Sequence, residues 1–222
     1  MVIEKLFKYR FELFFISIVC VLFGSLFFPK DIFADRILPI LFLLNILSGF
    51  LFFIERKKKA LIVIALFIIL LSIFLFNTIN KSEEDTIRYI RLIAYFLFYI
   101  LVTFQIIRQV WRTKRVNRSV IFGLMSGYIS LGLLGFFTFF SIELSEPGSF
   151  SGLVMNLPVT EKIDQLIYFS YITIMTIGYG DISPVTVMAQ KATVLFGMIG
   201  QFYLVIITAV VIEKYIRHTQ QP

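Results

Sequence analysis

The sequence predicts an all-α membrane protein: six transmembrane helices plus one short re-entrant helix. Three observations carry that prediction. Of 222 residues, 59% are hydrophobic and only 16% charged, with 27 phenylalanines, more apolar surface than a soluble domain of this length can hide. Six runs reach the roughly 20 apolar residues that a helix needs to cross a bilayer. Lysine and arginine fall in alternate short gaps between the runs, the pattern that sets topology in the membrane.

The six runs lie at about 11–28, 36–54, 60–79, 90–110, 119–141 and 187–212. The first follows Lys5, Lys8 and Arg10 but is long for a signal core and lacks small residues at a cleavage point, so a retained helix is expected. A seventh run, about 163–175, is too short to span and suits a re-entrant helix surrounded by protein. Basic residues mark one side: Lys5, Lys8 and Arg10; Arg56, Lys57, Lys58 and Lys59; Arg108, Arg112, Lys114, Arg115 and Arg118; Lys214 and Arg217. The other side is mixed or acidic, with Glu143, Glu146, Glu161, Asp164 and Asp181 against Lys162 in the last gap. A multi-pass protein of the plasma (cell inner) membrane follows, with both termini cytoplasmic. The acidic gap then faces outward, where it concentrates cations. The net charge of +7 is explained by topology, and no nucleic acid partner is expected. The basic residues Arg56, Lys57, Lys58 and Lys59 can also contact anionic lipids, each charge contributing about 1 kcal/mol.

Between the re-entrant run and the last span stands Thr173-Ile174-Met175-Thr176-Ile177-Gly178-Tyr179-Gly180-Asp181. Consecutive carbonyls point the same way only if alternate residues visit positive φ, which glycine allows at 178 and 180. A larger residue there would meet a left-handed backbone penalty of roughly 1–2 kcal/mol. A row of such carbonyls can replace the water around a potassium ion.

This run resembles the potassium-channel signature TxxTxGYGD. The resemblance covers about residues 119–213 and is closest to bacterial members with six spanning segments and a single pore loop. It includes Glu146-Pro147-Gly148-Ser149-Phe150, Tyr168-Phe169-Ser170, Ser183-Pro184-Val185-Thr186 and Gly200-Gln201-Phe202-Tyr203-Leu204. It implies a selectivity filter in which the carbonyls of Thr176, Ile177, Gly178 and Tyr179 hold K+, with the Thr176 hydroxyl closing the innermost site. It also implies a tetramer, because one copy of the signature supplies one quarter of a ring. Gly180, Asp181, Tyr168 and Thr173 support the filter: Tyr179 packs against the pore helix, and Asp181 hydrogen-bonds behind the filter. Tyr168 stands where many relatives have tryptophan, Ile172 where some have a buried glutamate, and Met175 where threonine is common. The last helix lines a cavity, with Gly200 as hinge or packing residue and Thr208 and Ile212 as constriction residues. The short helix aims its C-terminal end, partially negative, at a cation.

The resulting organisation is a four-helix peripheral domain at 1–110, a basic cytoplasmic linker helix at 111–118, and a pore domain at 119–222. A moving voltage sensor needs several charges in the field, each worth about 2.3 kcal/mol per 100 mV. Arg88 and Arg91 stand at the outer end of the fourth run and the three-residue series Arg112, Arg115, Arg118 at its inner face, so the sensor charges are lacking. The expected function is passive, potassium-selective conduction. The alternatives are a voltage-gated potassium channel and a non-selective or regulatory cation-channel subunit. No enzyme is expected, since His218 is the only histidine, and no cofactor beyond K+ as permeant ligand.

Overall fold

Helices dominate the chain because an apolar backbone segment in lipid has to satisfy its N–H and C=O groups within itself. The computed structural model describes residues 6–29, 32–55, 57–80, 85–113, 117–153 and 159–219. In order these form α1 (Arg10–Phe23), α2 (Leu38–Phe50), α3 (Lys57–Asn80), α4 (Asp85–Arg112), α5 (Arg118–Ser145), β1 (Phe150–Ser151), α6 (Val159–Ile174), β2 (Ser183–Pro184) and α7 (Val187–Thr219). Among the described residues, four helices are long and apolar enough to cross a membrane: Lys58–Phe76, Tyr89–Arg112, Arg118–Ser145 and Val187–Ile207.

The first two apolar runs are less regular than their composition suggests. Helix α1 has 14 residues and gives way at Gly24 to a 3-10 turn; about 21 Å of helix falls short of a 30 Å hydrocarbon core. The second run begins as a π-helical turn, Phe33–Ile37, in which the Leu38 N–H reaches back to the Phe33 carbonyl. Pro39 follows in the first turn of α2 and has no N–H to continue that wider ladder, so the helix tightens there.

The chain divides into two compact units, Met1–Gly127 and Tyr128–Pro222, with the boundary inside α5. Most of the expected linker helix at 111–118 lies at or beyond the ends of the described helices, with residues 111–112 closing α4 and Arg118 opening α5. Thr113 and Asn117 are non-helical, Lys114 and Arg115 lie outside the described residues, and the Asn117 side chain caps α5 by accepting the Val120 N–H at 3.0 Å.

In the first unit Phe14, Ile18, Phe53, Val63, Phe98 and Val102 are fully buried. Phe52 anchors the core, with ring centroids 5.2 Å from Phe11 and 5.6 Å from Phe14. A neutral polar network runs through this apolar interior. Buried Asn45 donates to Ser17 Oγ at 2.9 Å and accepts from the Tyr99 hydroxyl at 2.9 Å, while Ser17 and Ser48 share a further bond at 2.9 Å. Toward the end of α4, the Gln105 and Gln109 amides both donate to the Phe52 carbonyl, at 3.1 and 3.0 Å, and Arg10 Nε donates to Gln109 Oε1 at 2.9 Å. Helix α4 is therefore tied to α2 and the turn after it by uncharged groups, and to α1 by the Arg10 guanidinium. The side chain of Arg88 lies outside the described residues, and Arg112 is exposed.

The second unit is built around Phe139, fully buried in α5. Its ring lies 5.6 Å from Phe150 of β1, 5.1 Å from Phe169 of α6 and 5.6 Å from Phe196 of α7, so one side chain joins four elements. Strands β1 and β2 pair antiparallel, Phe150 with Pro184 and Ser151 with Ser183.

Replacing Asn45 with leucine is expected to destabilise the chain by about 1–3 kcal/mol, because the buried Tyr99 hydroxyl loses its acceptor. The double variant Asn45→Leu/Tyr99→Phe removes both partners and is expected to recover part of that loss. Denaturant unfolding of the full chain in detergent reads both values.

Candidate functional site

The chain leaves α6 through a reversal fixed by one carbonyl. Ile172, buried at the end of that helix, accepts from the Ile177 N–H at 2.8 Å and from the Gly178 N–H at 3.2 Å. The Thr176 N–H bonds the Thr173 carbonyl at 3.0 Å. Beyond this turn, positive φ recurs at every second residue: 58° at Thr176, 58° at Gly178 and 81° at Gly180. A β-branched residue seldom adopts such a backbone, so Thr176 is held there by its surroundings.

Helix α6 is positioned by side chains that reach backbone carbonyls. The Ser170 hydroxyl donates to Gly132 O at 2.6 Å and the Tyr171 hydroxyl to Ile129 O at 2.7 Å, both on α5. In the opposite direction, the Tyr128 hydroxyl donates to Ile174 O at 3.1 Å, satisfying a carbonyl the helix end leaves open. Gly200 of α7 lies against that same carbonyl: a β-carbon there would sit 2.5 Å from Ile174 O. Close approach thus gives Gly200 a reason to be glycine without invoking bending.

The far end of the signature segment is held by the loop before it. Glu143 is 8% exposed, and its carboxylate accepts the Gly148 N–H at 2.9 Å and the Phe150 N–H at 3.3 Å. This shapes the turn leading into β1. Val185 N–H then bonds Ser149 O at 2.8 Å, and Thr186 Oγ1 lies 3.1 Å from Ser149 Oγ. Gly152, at φ 85°, sits against the Asp181 carbonyl with no room for a side chain. Glu143 was expected among the acids of an outward surface, and here it is structural. Its sequence signal was present in Glu143-x₄-Gly148, but an acid before a turn reads equally well as a solvated charge.

Tyr168 Oη donates to Asp181 Oδ2 at 2.7 Å, bridging α6 and the residue after Gly180. The hydrogen bond to Asp181, with desolvation and the Asp181 charge adding to it, pushes the Tyr168 phenol up to about 12. Tyr179 is 71% exposed on the single chain and Ile177 46%, so neither packs extensively on its own α6. Of the proposed constriction residues, Ile212 is exposed, and the Thr208 side chain lies outside the described residues. Among the basic group, Arg56 and the Lys57 side chain also lie outside them; Lys58 is exposed, and Lys59 Nζ stands 5.5 Å from the Phe104 ring centroid. Among the described residues no cluster of His, Cys, Asp or Glu could hold a metal ion.

Comparison with known proteins finds one similarity, over the region that carries this geometry. Residues 129–217 match the model of a family described as an ion channel. No curated protein and no solved structure matches the chain. The family match, with the long apolar helices, supports a membrane protein carrying an ion-channel domain, and a channel rather than an enzyme.

Two substitutions test the supports of this segment. Glu143→Ala strands two backbone N–H groups and is expected to cost about 3 kcal/mol in the unfolding of the full chain, with Glu143→Gln losing less. The raised Tyr168 value means its bond adds stability below the unfolded phenol range, lost as pH rises through about 12. Phenolate absorbance of wild type titrated against Tyr168→Phe should show one late-titrating tyrosine missing from the variant.

Proposed function

We propose, from the ion-channel match over residues 129–217, that this chain forms a potassium-selective channel in which four copies surround one pore. The observation that carries the reading is the alternation of positive φ at Thr176, Gly178 and Gly180 directly after a helix end. An alternating backbone turns successive carbonyls to one side, where those of Thr176, Ile177, Gly178 and Tyr179 can replace the water shell of K+. The negative end of α6 adds to the attraction for a cation.

A fourfold assembly is supported by what one chain leaves open. Tyr179, Met175 and Ile177 stand exposed beside the filter, as do Val194, Met198, Phe202 and Val205 on α7. These surfaces would be covered by neighbouring copies or face the pore. The basic gaps support a multi-pass protein of the cell's inner membrane with both termini on the cytoplasmic side, where Arg56, Lys57, Lys58 and Lys59 would meet anionic headgroups. Conduction is passive, with K+ as the permeant ligand.

Reconstituted in liposomes, the protein should give currents whose reversal follows the potassium gradient and ignores the sodium gradient. Gly178→Ala introduces roughly 1–2 kcal/mol of backbone strain per filter strand at φ 58° and is expected to abolish selective current. Selectivity that survives this substitution would place the pore elsewhere in the molecule.

A further inference from the structure

Helices α2 and α3 do not close on one another completely. Between them runs a cleft of about 170 Å3, lined by Ile46, Leu47 and Phe50 on one wall and Val63, Ile64 and Phe67 on the other. Ile46 and Val63 are buried and form its floor, while Leu47 and Ile64 are exposed along its rim. Every lining side chain is hydrocarbon, so the walls offer no side-chain hydrogen bond to water or to a polar ligand.

The depth of the cleft in a bilayer follows from α3. That helix starts with Lys57, Lys58 and Lys59 and carries no further charge through Asn80. At about 1.5 Å per residue, Val63 lies about 6 Å and Phe67 about 12 Å beyond Lys59 along the axis. Half of a hydrocarbon core of about 30 Å is about 15 Å, so the cleft falls within the leaflet whose headgroups meet the lysines. Lys59 stands one turn before Val63, nearly on the same face, and Lys58 beside it is exposed. The first turn of α3 contains no acid, and cations at the positive end of a helix dipole are unfavourable without a nearby anion. Glu55, the nearest acid in sequence, interacts with Arg10.

We propose that this cleft seats one acyl chain of an anionic phospholipid whose phosphate is held at Lys58 and Lys59. The inference rests on the membrane reading above and narrows its headgroup contact to one lipid with a defined seat. An aliphatic chain matches the apolar walls, needs no polar partner, and gains close contact on two sides. A zwitterionic lipid would fill the cleft as well, so any preference comes from the headgroup, where each lysine adds attraction for an anionic lipid.

The test places a reporter in the cleft: Phe50→Trp in a Trp111→Phe background, since Trp111 is the only native tryptophan. The full chain is reconstituted in phosphatidylcholine vesicles containing a brominated lipid, which quenches a tryptophan touching its chain. Brominated phosphatidylglycerol is expected to bind at the reporter about fivefold more tightly than brominated phosphatidylcholine, and Lys58→Gln/Lys59→Gln to reduce that preference to about twofold or less. Should Phe50→Trp not fold, Phe67→Trp reads the same contact from the opposite wall. Equal quenching by the two lipids, or a preference that the double substitution leaves unchanged, overturns the proposal. Quenching by neither lipid would put protein over the cleft, such as a second copy of the chain, and overturns it too. Quenching by aqueous iodide would instead defeat the membrane reading itself.

Discussion

One carbonyl with two donors governs the second unit. By accepting both the Ile177 and Gly178 N–H groups, Ile172 ends α6 and redirects the chain into a segment of alternating backbone sign. If the carbonyl moved, the strained Thr176 would relax and the alternation would lose its first member. The remaining contacts keep it still. Ser170 and Tyr171 bind α6 to carbonyls of α5, Tyr128 and Gly200 meet its last carbonyl, and Phe139 packs on Phe169 from behind. Local strain of this kind persists only where its surroundings over-determine it.

Much of this was readable in the sequence. Glycine at 178 and 180 announced positive φ because few other residues accept it, and length separated the short helix from the four long ones, though not from α1 and α2, which are shorter still. Other features escaped for physical reasons. Threonine at 176 gives no hint of left-handed backbone, because the hydrogen bonds around it impose that state against its preference. The break at Gly24 was hidden by apolar composition, which fixes that a segment is helical but not which ladder it uses, and the π-helical turn at Phe33–Ile37 was hidden because Asp35 and Arg36 read as part of a gap between runs. Asn45 passed as an isolated polar residue, since its partners Ser17 and Tyr99 lie 28 and 54 positions away.

The two units handle polarity differently. In the first, neutral side chains such as Asn45, Ser17 and Tyr99 bond one another across helices, with the Arg10 guanidinium joining Gln109. In the second, side chains mostly satisfy backbone, and Glu143 is taken up entirely by two amide N–H groups. Charge near the signature segment is therefore narrower than a count of acids implies, with Asp181 engaged by Tyr168 and Glu143 enclosed.

The contact between Gly200 and Ile174 O has a mechanical consequence. With so little clearance, α7 cannot roll about its own axis past α6 without pushing an atom of its backbone into that oxygen. Torque applied at the distal end of α7 would therefore arrive at the root of the Thr176 segment as a displacement. The two helices share a joint there, at the root of the Thr176 segment.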